Sequence, residues 1–207
     1  MSPAVLRHLL EFLGVIAFAL SGFIEAERKQ VDPVGVFVVA FVTAFGGGTL
    51  RDVLIDRRPF YWVEHEVYVL ILFALTAVAP MVLRLLHKHF LFWFFILADA
   101  VGLGIFSVAG TVMALAAGLP VFSSTMLGVV TGVFGGVLRD VILNEVPMVL
   151  RDGRPYATAA FAGCLAYPGL VRAGVGEANA LWVAALSIVV LRMVAWHRDW
   201  HIGYRRR

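Results

Sequence analysis

Apolar residues in this chain neither alternate nor recur at a helical period against a polar face. They run in long blocks broken by short polar stretches, at positions 9–26, 34–55, 67–86, 91–117, 121–143, 157–171 and 179–194. A helix of about 20 apolar residues crosses a hydrocarbon core of roughly 30 Å, so each block predicts a membrane-spanning helix, the sixth being the shortest. The reading is an all-α membrane protein with seven transmembrane helices. Composition agrees, since 61% of residues are hydrophobic, 15% are charged and the mean hydropathy is +0.89. The first block, following Arg7 and containing Ala19-Leu20-Ser21, superficially resembles a cleavable signal. Glu11 within it argues for a retained helix instead. Cys164 stands alone, which excludes an intrachain disulfide and a cysteine zinc site.

A pI of about 9.4 raises the question of nucleic acid, but the basic residues sort by membrane side. With seven spans, one side carries Arg7, Arg57, Arg58 and Arg172. The other carries Arg28, Lys29, Arg84, Lys88, Arg151, Arg154, Arg192, Arg198 and Arg205-Arg206-Arg207. The excess of positive charge on one face orients a membrane protein with that face inward. The expectation is a cell-membrane protein with its N-terminus outside, its C-terminus cytoplasmic, the terminal arginines at anionic lipid headgroups, and no nucleic-acid partner. Trp62, Trp93 and Trp196 fall near block ends, where interfacial anchors belong.

Laying the chain on itself at an offset of 88 residues aligns 11–84 with 99–172 without a gap, and 18 of 74 positions are identical. Gly14, Phe18 and Gly22 match Gly102, Phe106 and Gly110; Thr43, Gly47, Gly48, Leu50, Arg51 and Asp52 match Thr131, Gly135, Gly136, Leu138, Arg139 and Asp140. Self-similarity of this kind marks a duplicated unit. The expected organisation within a single transmembrane domain is a first three-helix repeat at 1–88, a second at 89–176, and a seventh helix with a basic tail at 177–207. Three spans are an odd number, so a short connection makes the second repeat enter from the opposite side. Inverted repeats place solute sites along the pseudo-two-fold axis between them.

Gly46, Gly47 and Gly48 in the second block, and Gly135 and Gly136 in the fifth, each cost about 1 kcal/mol of helix propensity relative to alanine, which predicts a kink or an unwound turn. Freed carbonyls there would line a wet passage. The alternative is that glycine permits close helix packing. Ala40, Ala44, Gly48 and Asp52 fall four apart, as do Gly128, Gly132, Gly136 and Asp140, giving each helix a small-residue face that ends in a carboxylate. Against another backbone that face packs and the aspartate caps or pairs; against a gap it lines a passage. Thr43 and Thr131 are placed either to offer hydroxyls to an ion or to bond back to their own helices.

Charges within a span cost about 2.5–3.5 kcal/mol each and mark a pathway. Glu11, Asp99, Arg51, Asp52, Arg139 and Asp140 are the candidates. Four acids against two arginines leave −2, which favours a passing cation. The competing reading is a lattice of structural salt bridges. Neither a P-loop, nor HExxH, nor a Ser-His-Asp order is present, and inversion separates Asp52 from Asp140, so neither an enzyme nor a cofactor is expected.

The twin segments Gly46-Gly47-Gly48-Thr49-Leu50-Arg51-Asp52 and Gly135-Gly136-Val137-Leu138-Arg139-Asp140 resemble those of the prokaryotic branch of the TRIC family, the trimeric intracellular cation channels and their bacterial and archaeal relatives. The resemblance covers nearly the whole chain. It implies a homotrimer with a potassium pore inside each subunit, lined by glycine-kinked second and fifth helices, and it carries over Gly46, Gly47, Gly48, Arg51, Asp52, Gly135, Gly136, Arg139 and Asp140 as pathway residues. Phe134 stands where the first repeat has Gly46, a departure that shortens the second glycine run. Some bacterial proteins of this architecture are similar to carriers of glycine or other small amino acids, and that alternative stays open beside the channel.

Overall fold

The computed structural model of the chain describes residues 3–85, 87–151 and 153–202, and among the described residues all regular structure is helical. The elements are α1 Pro3–Arg28, α2 Pro33–Leu54, α3 Tyr61–Glu64, α4 Glu66–Arg84, α5 Lys88–Ala116, α6 Val121–Ile142, α7 Met148–Arg151, α8 Ala157–Arg172 and α9 Glu177–His197. The seven longer helices coincide with the seven hydrophobic blocks. Five of them, α1, α2, α5, α6 and α9, contain apolar stretches of at least 20 residues, long enough to cross a membrane. At 19 residues α4 is shorter, and α8, the sixth expected span, has 16 and rises only about 24 Å. The terminal Arg205-Arg206-Arg207 lies outside the described residues.

Helices α1 and α5 form the centre. α5 packs against α1, α2, α6, α8 and α9, while α1 packs against α2, α4 and α5. Phe18 of α1 and Phe106 of α5 stack with centroids 5.4 Å apart, each lying against the other helix's glycine, Gly102 and Gly14. All four belong to the set repeated at an offset of 88. Side chains at these glycines would drive the rings out of contact, so the pair is a lock between two helices built from the same pattern.

The expected interruption at the glycines is not found. α2 is helical through Gly46, Gly47 and Gly48, and α6 through Gly135 and Gly136. An unwound turn would leave backbone groups without partners, and the close contacts bought by missing side chains offset the propensity cost of glycine. A Cβ on Gly47 would collide with the Thr131 carbonyl oxygen, and one on Gly135 with that of Thr43. Rising from 43 to 47 on α2 accompanies falling from 135 to 131 on α6, so the two helices cross antiparallel with backbones in contact.

Both helices also end alike. Asp56 and Asn144, 88 residues apart, have φ of 51° and 56°, and the Arg57 and Glu145 amides donate back to the Asp52 and Asp140 carbonyls at 2.8 Å. This is a left-handed C-terminal cap, which Asp and Asn tolerate better than most residues.

Candidate functional site

Part of each small-residue face meets another backbone, while Gly48 and Gly136 face side chains of the charged sites. A Cβ on Gly132 would lie 2.8 Å from the Leu103 oxygen of α5, and Gly128 presses equally closely on Ser107 of the same helix. On the other half, Gly22 of α1 closes on Ala40 of α2, where a Cβ would lie 2.7 Å from the Ala40 Cα. Thr43 and Thr131 bond back to their own helices, donating to the Val39 oxygen at 2.6 Å and to the Leu127 oxygen at 2.7 Å. Tight packing is observed at Ala40, Gly128 and Gly132, and a small space remains at Ala44 and Gly48.

Beyond the crossing, each helix delivers its Arg-Asp pair to a buried site. In the first, Arg51 donates to Asp52 Oδ1 through Nε at 2.9 Å and Nη2 at 2.7 Å, while Asp52 Oδ2 accepts the Tyr61 amide at 3.0 Å. Arg57 Nη1 approaches the same carboxylate at 3.7 Å. Glu11, Gly48, Arg51 and Tyr61 surround a space of about 10 Å³, room for roughly one water. In the second, Arg139 Nε donates to Asp140 Oδ1 at 2.9 Å and Asp140 Oδ2 accepts the Met148 amide at 2.8 Å. Each aspartate therefore caps the short helix after it, α3 or α7, as well as holding its arginine.

The second site is larger and more tightly tied. Arg139 Nη1 donates to Asp99 Oδ1 on α5 and to Ser21 Oγ on α1, both at 2.9 Å, and its guanidinium lies 4.8 Å from the Phe95 ring centroid. Beside it opens a cavity of about 650 Å³ whose lining includes Glu25, Glu27, Phe95, Asp140, Glu145 and Met148. At its mouth Lys29, in the connection after α1, pairs with Glu145, in the connection after α6.

Arg192 overturns an expectation. Counted among the cytoplasmic surface charges, it is 0% exposed, with Nη2 3.4 Å from Asp99 Oδ2 and its guanidinium 4.2 Å from the Tyr156 ring centroid. No local signal in α9 distinguishes it from Arg198, and nothing in the repeat points to it. With Arg57 and Arg192 added, the charges in and against the two sites are four acids and four arginines, so the −2 counted within the spans is neutralised. Apart from Asp140, which Arg139 holds, the cavity wall carries Glu25, Glu27 and Glu145 against Arg28 and Arg151. Lys29, paired with Glu145, balances the third of these acids.

Comparison with known proteins agrees with this geometry. The model of the family described as glycine transporter matches twice, at residues 8–84 and 96–172, again 88 apart. A UPF0126 membrane protein of Vibrio cholerae is 34% identical over 93% of this chain and 80% of its own length. The UPF0126 inner membrane protein YadS of Escherichia coli K12 is 33% identical over 93% of this chain and 94% of its own length. Among solved structures, the TRIC trimeric intracellular cation channel orthologue from Rhodobacter sphaeroides superposes with a TM-score of 0.86 at 32% identity, covering 93% of this chain and 98% of that one. These likenesses and the long apolar helices make the chain a multi-pass membrane protein with a TRIC-like fold.

Proposed function

The chain belongs to the glycine-transporter family, alongside the UPF0126 membrane proteins, and from that premise and its TRIC-like fold we propose that it is a passive channel for monovalent cations, potassium foremost. In this reading seven helices span the cell membrane. Residues 1–88 and 89–176 form inverted repeats, 177–207 add the seventh helix and the basic tail, the N-terminus lies outside, and three subunits each carry a pore. The observation that carries the proposal is the likeness, over 93% of the chain, to a cation channel orthologue. The 650 Å³ cavity supports it as a cytoplasmic vestibule with the carboxylates of Glu25, Glu27, Asp140 and Glu145 in its wall. Glu11, Asp99 and the two Arg-Asp pairs flank the remaining path, and the narrow space at Glu11 and Tyr61 is its closed end in this conformation. The basic tail sits at anionic headgroups.

A second reading is favoured by the family's description and by charge. Each site offers both a carboxylate and a guanidinium, the pair that a zwitterion such as glycine matches, and one open cavity facing one shut end is what alternating access requires. Purified protein in liposomes, assayed for potassium flux and glycine uptake side by side, separates them. The channel predicts potassium flux down its gradient at rates beyond a carrier cycle; saturable glycine uptake without such flux overturns it.

A further inference from the structure

Arg192 is an arginine of the second site that the duplicated unit does not supply, since α9 lies beyond residue 172. Its grip is unlike that of Arg139. It donates to the Pro155 carbonyl and faces Asp99 Oδ2 at 3.4 Å each, touches Met148 Sδ at 3.3 Å, and leaves Nε without a partner. Arg139 makes three side-chain hydrogen bonds at 2.9 Å. Each arginine leaves one buried nitrogen without a hydrogen bond, Nε of Arg192 and Nη2 of Arg139, so the two differ in the number and length of the bonds they do make. What Arg192 supplies is charge: Asp99 is bracketed, Oδ1 by Arg139 and Oδ2 by Arg192, and each carboxylate oxygen is met by a cation.

It also touches what surrounds the passage. Tyr156, under its guanidinium, would have its hydroxyl 3.1 Å from a Cβ on Gly136, and Met148 lines the cavity and donates its amide to Asp140. Glu11, the counterpart of Asp99 at an offset of 88, lies on α1, and α9 packs on α5 and α8. The seventh helix thereby brings to the second site a second arginine, where the first site has Arg57 from the connection after α2.

We propose that Arg192 is a selectivity-determining positioning residue: from the unduplicated helix it cancels the charge of Asp99, so that the buried site beside the cavity is neutral and adds nothing to the cation preference of the path. The assignment rests on the channel reading. In liposomes under a potassium chloride gradient, the reversal potential of full-length protein gives the potassium-to-chloride permeability ratio. Arg192→Gln exposes one carboxylate and raises that ratio severalfold. Asp99→Asn leaves one uncompensated guanidinium and lowers it, Arg192→Lys retains the wild-type ratio, and the pair Asp99→Asn with Arg192→Met returns it toward wild type. Folded single variants that keep the wild-type ratio, or that shift it in the same direction, overturn the assignment while the channel reading stands. Wild-type protein that passes no potassium sinks both. Should Arg192→Gln fail to fold, Asp99→Asn, Arg192→Lys and the pair decide by the same signs.

Discussion

The Arg51-Asp52 and Arg139-Asp140 sites begin from the same local sequence and end in different surroundings. At Arg51 the guanidinium closes on its neighbour Asp52, and Glu11, Tyr61 and Gly48 leave space for about one water. Arg139 ties α6 to α1 through Ser21 and to α5 through Asp99, shares Asp99 with α9, and stands beside a 650 Å³ cavity. The position equivalent to Ser21 is Ala109, which offers no acceptor, and the second arginine of the first site, Arg57, comes from the adjoining connection rather than from another long helix. A duplicated motif thus fixes the arginine, the aspartate and the cap it makes. Whether the site is a tight corner or stands beside a large cavity depends on residues outside the motif.

Breaking the two arginines in turn tests that difference most strongly. Arg139→Met leaves Asp140 without its arginine and Asp99 with Arg192 alone, and removing one partner of a buried pair costs about 3–5 kcal/mol. Arg51→Met releases a pair confined largely to adjacent residues and should cost less. Thermal unfolding in detergent reads the order, and equal losses would show that the wider ties of Arg139 carry no stability.

The glycines sharpen the comparison at the crossing. Gly47→Ala and Gly135→Ala drive a methyl into a backbone carbonyl, and overpacking of that kind costs about 1–3 kcal/mol. One position on, a Cβ at Gly48 meets nothing nearer than Arg51 Nη2 at 3.8 Å, so Gly48→Ala should stabilise α2 by about 1 kcal/mol of helix propensity. The signs separate close packing from an unwound turn: if Gly48 served a turn, alanine there would destabilise.

The smallest effect lies at the Lys29–Glu145 pair, whose carboxylate lines the cavity of the second half. A hydrogen bond from Lys29, and its charge, hold the Glu145 carboxyl below the usual carboxylate range. A depressed carboxylate contributes stability above its unfolded pKa and loses it as pH falls through the lower folded value, so the Lys29 contact weakens only in acid. Lys29→Gln should move the Glu145 titration, followed by carboxyl NMR, up toward the ordinary carboxylate range.

The seven hydrophobic blocks, the period of 88 and the buried Arg-Asp pairs were all legible along the chain. Block length and self-similarity are properties of the sequence itself, and a charge inside an apolar block announces its burial by its cost. Glycine clusters were not decisive, because the same residues serve an unwound turn or a backbone contact, and only the neighbour at Thr131 or Thr43 tells which. Arg192 escaped for a related reason: near the end of α9 an arginine can snorkel or turn inward, and Asp99, its partner, lies 93 residues away.

What this sequence determined by itself is therefore which segments are helical, which belong to the bilayer, and which two places hold buried charge, since hydrophobicity, propensity and repetition act locally. The tertiary structure alone decided that the glycine helices stay unbroken and cross at their backbones, that the small-residue faces are filled in part, and that an arginine from the unduplicated helix balances one site. Each of those depends on which atoms arrive from distant helices, and steric contact and Coulomb pairing act only at the separations that packing creates.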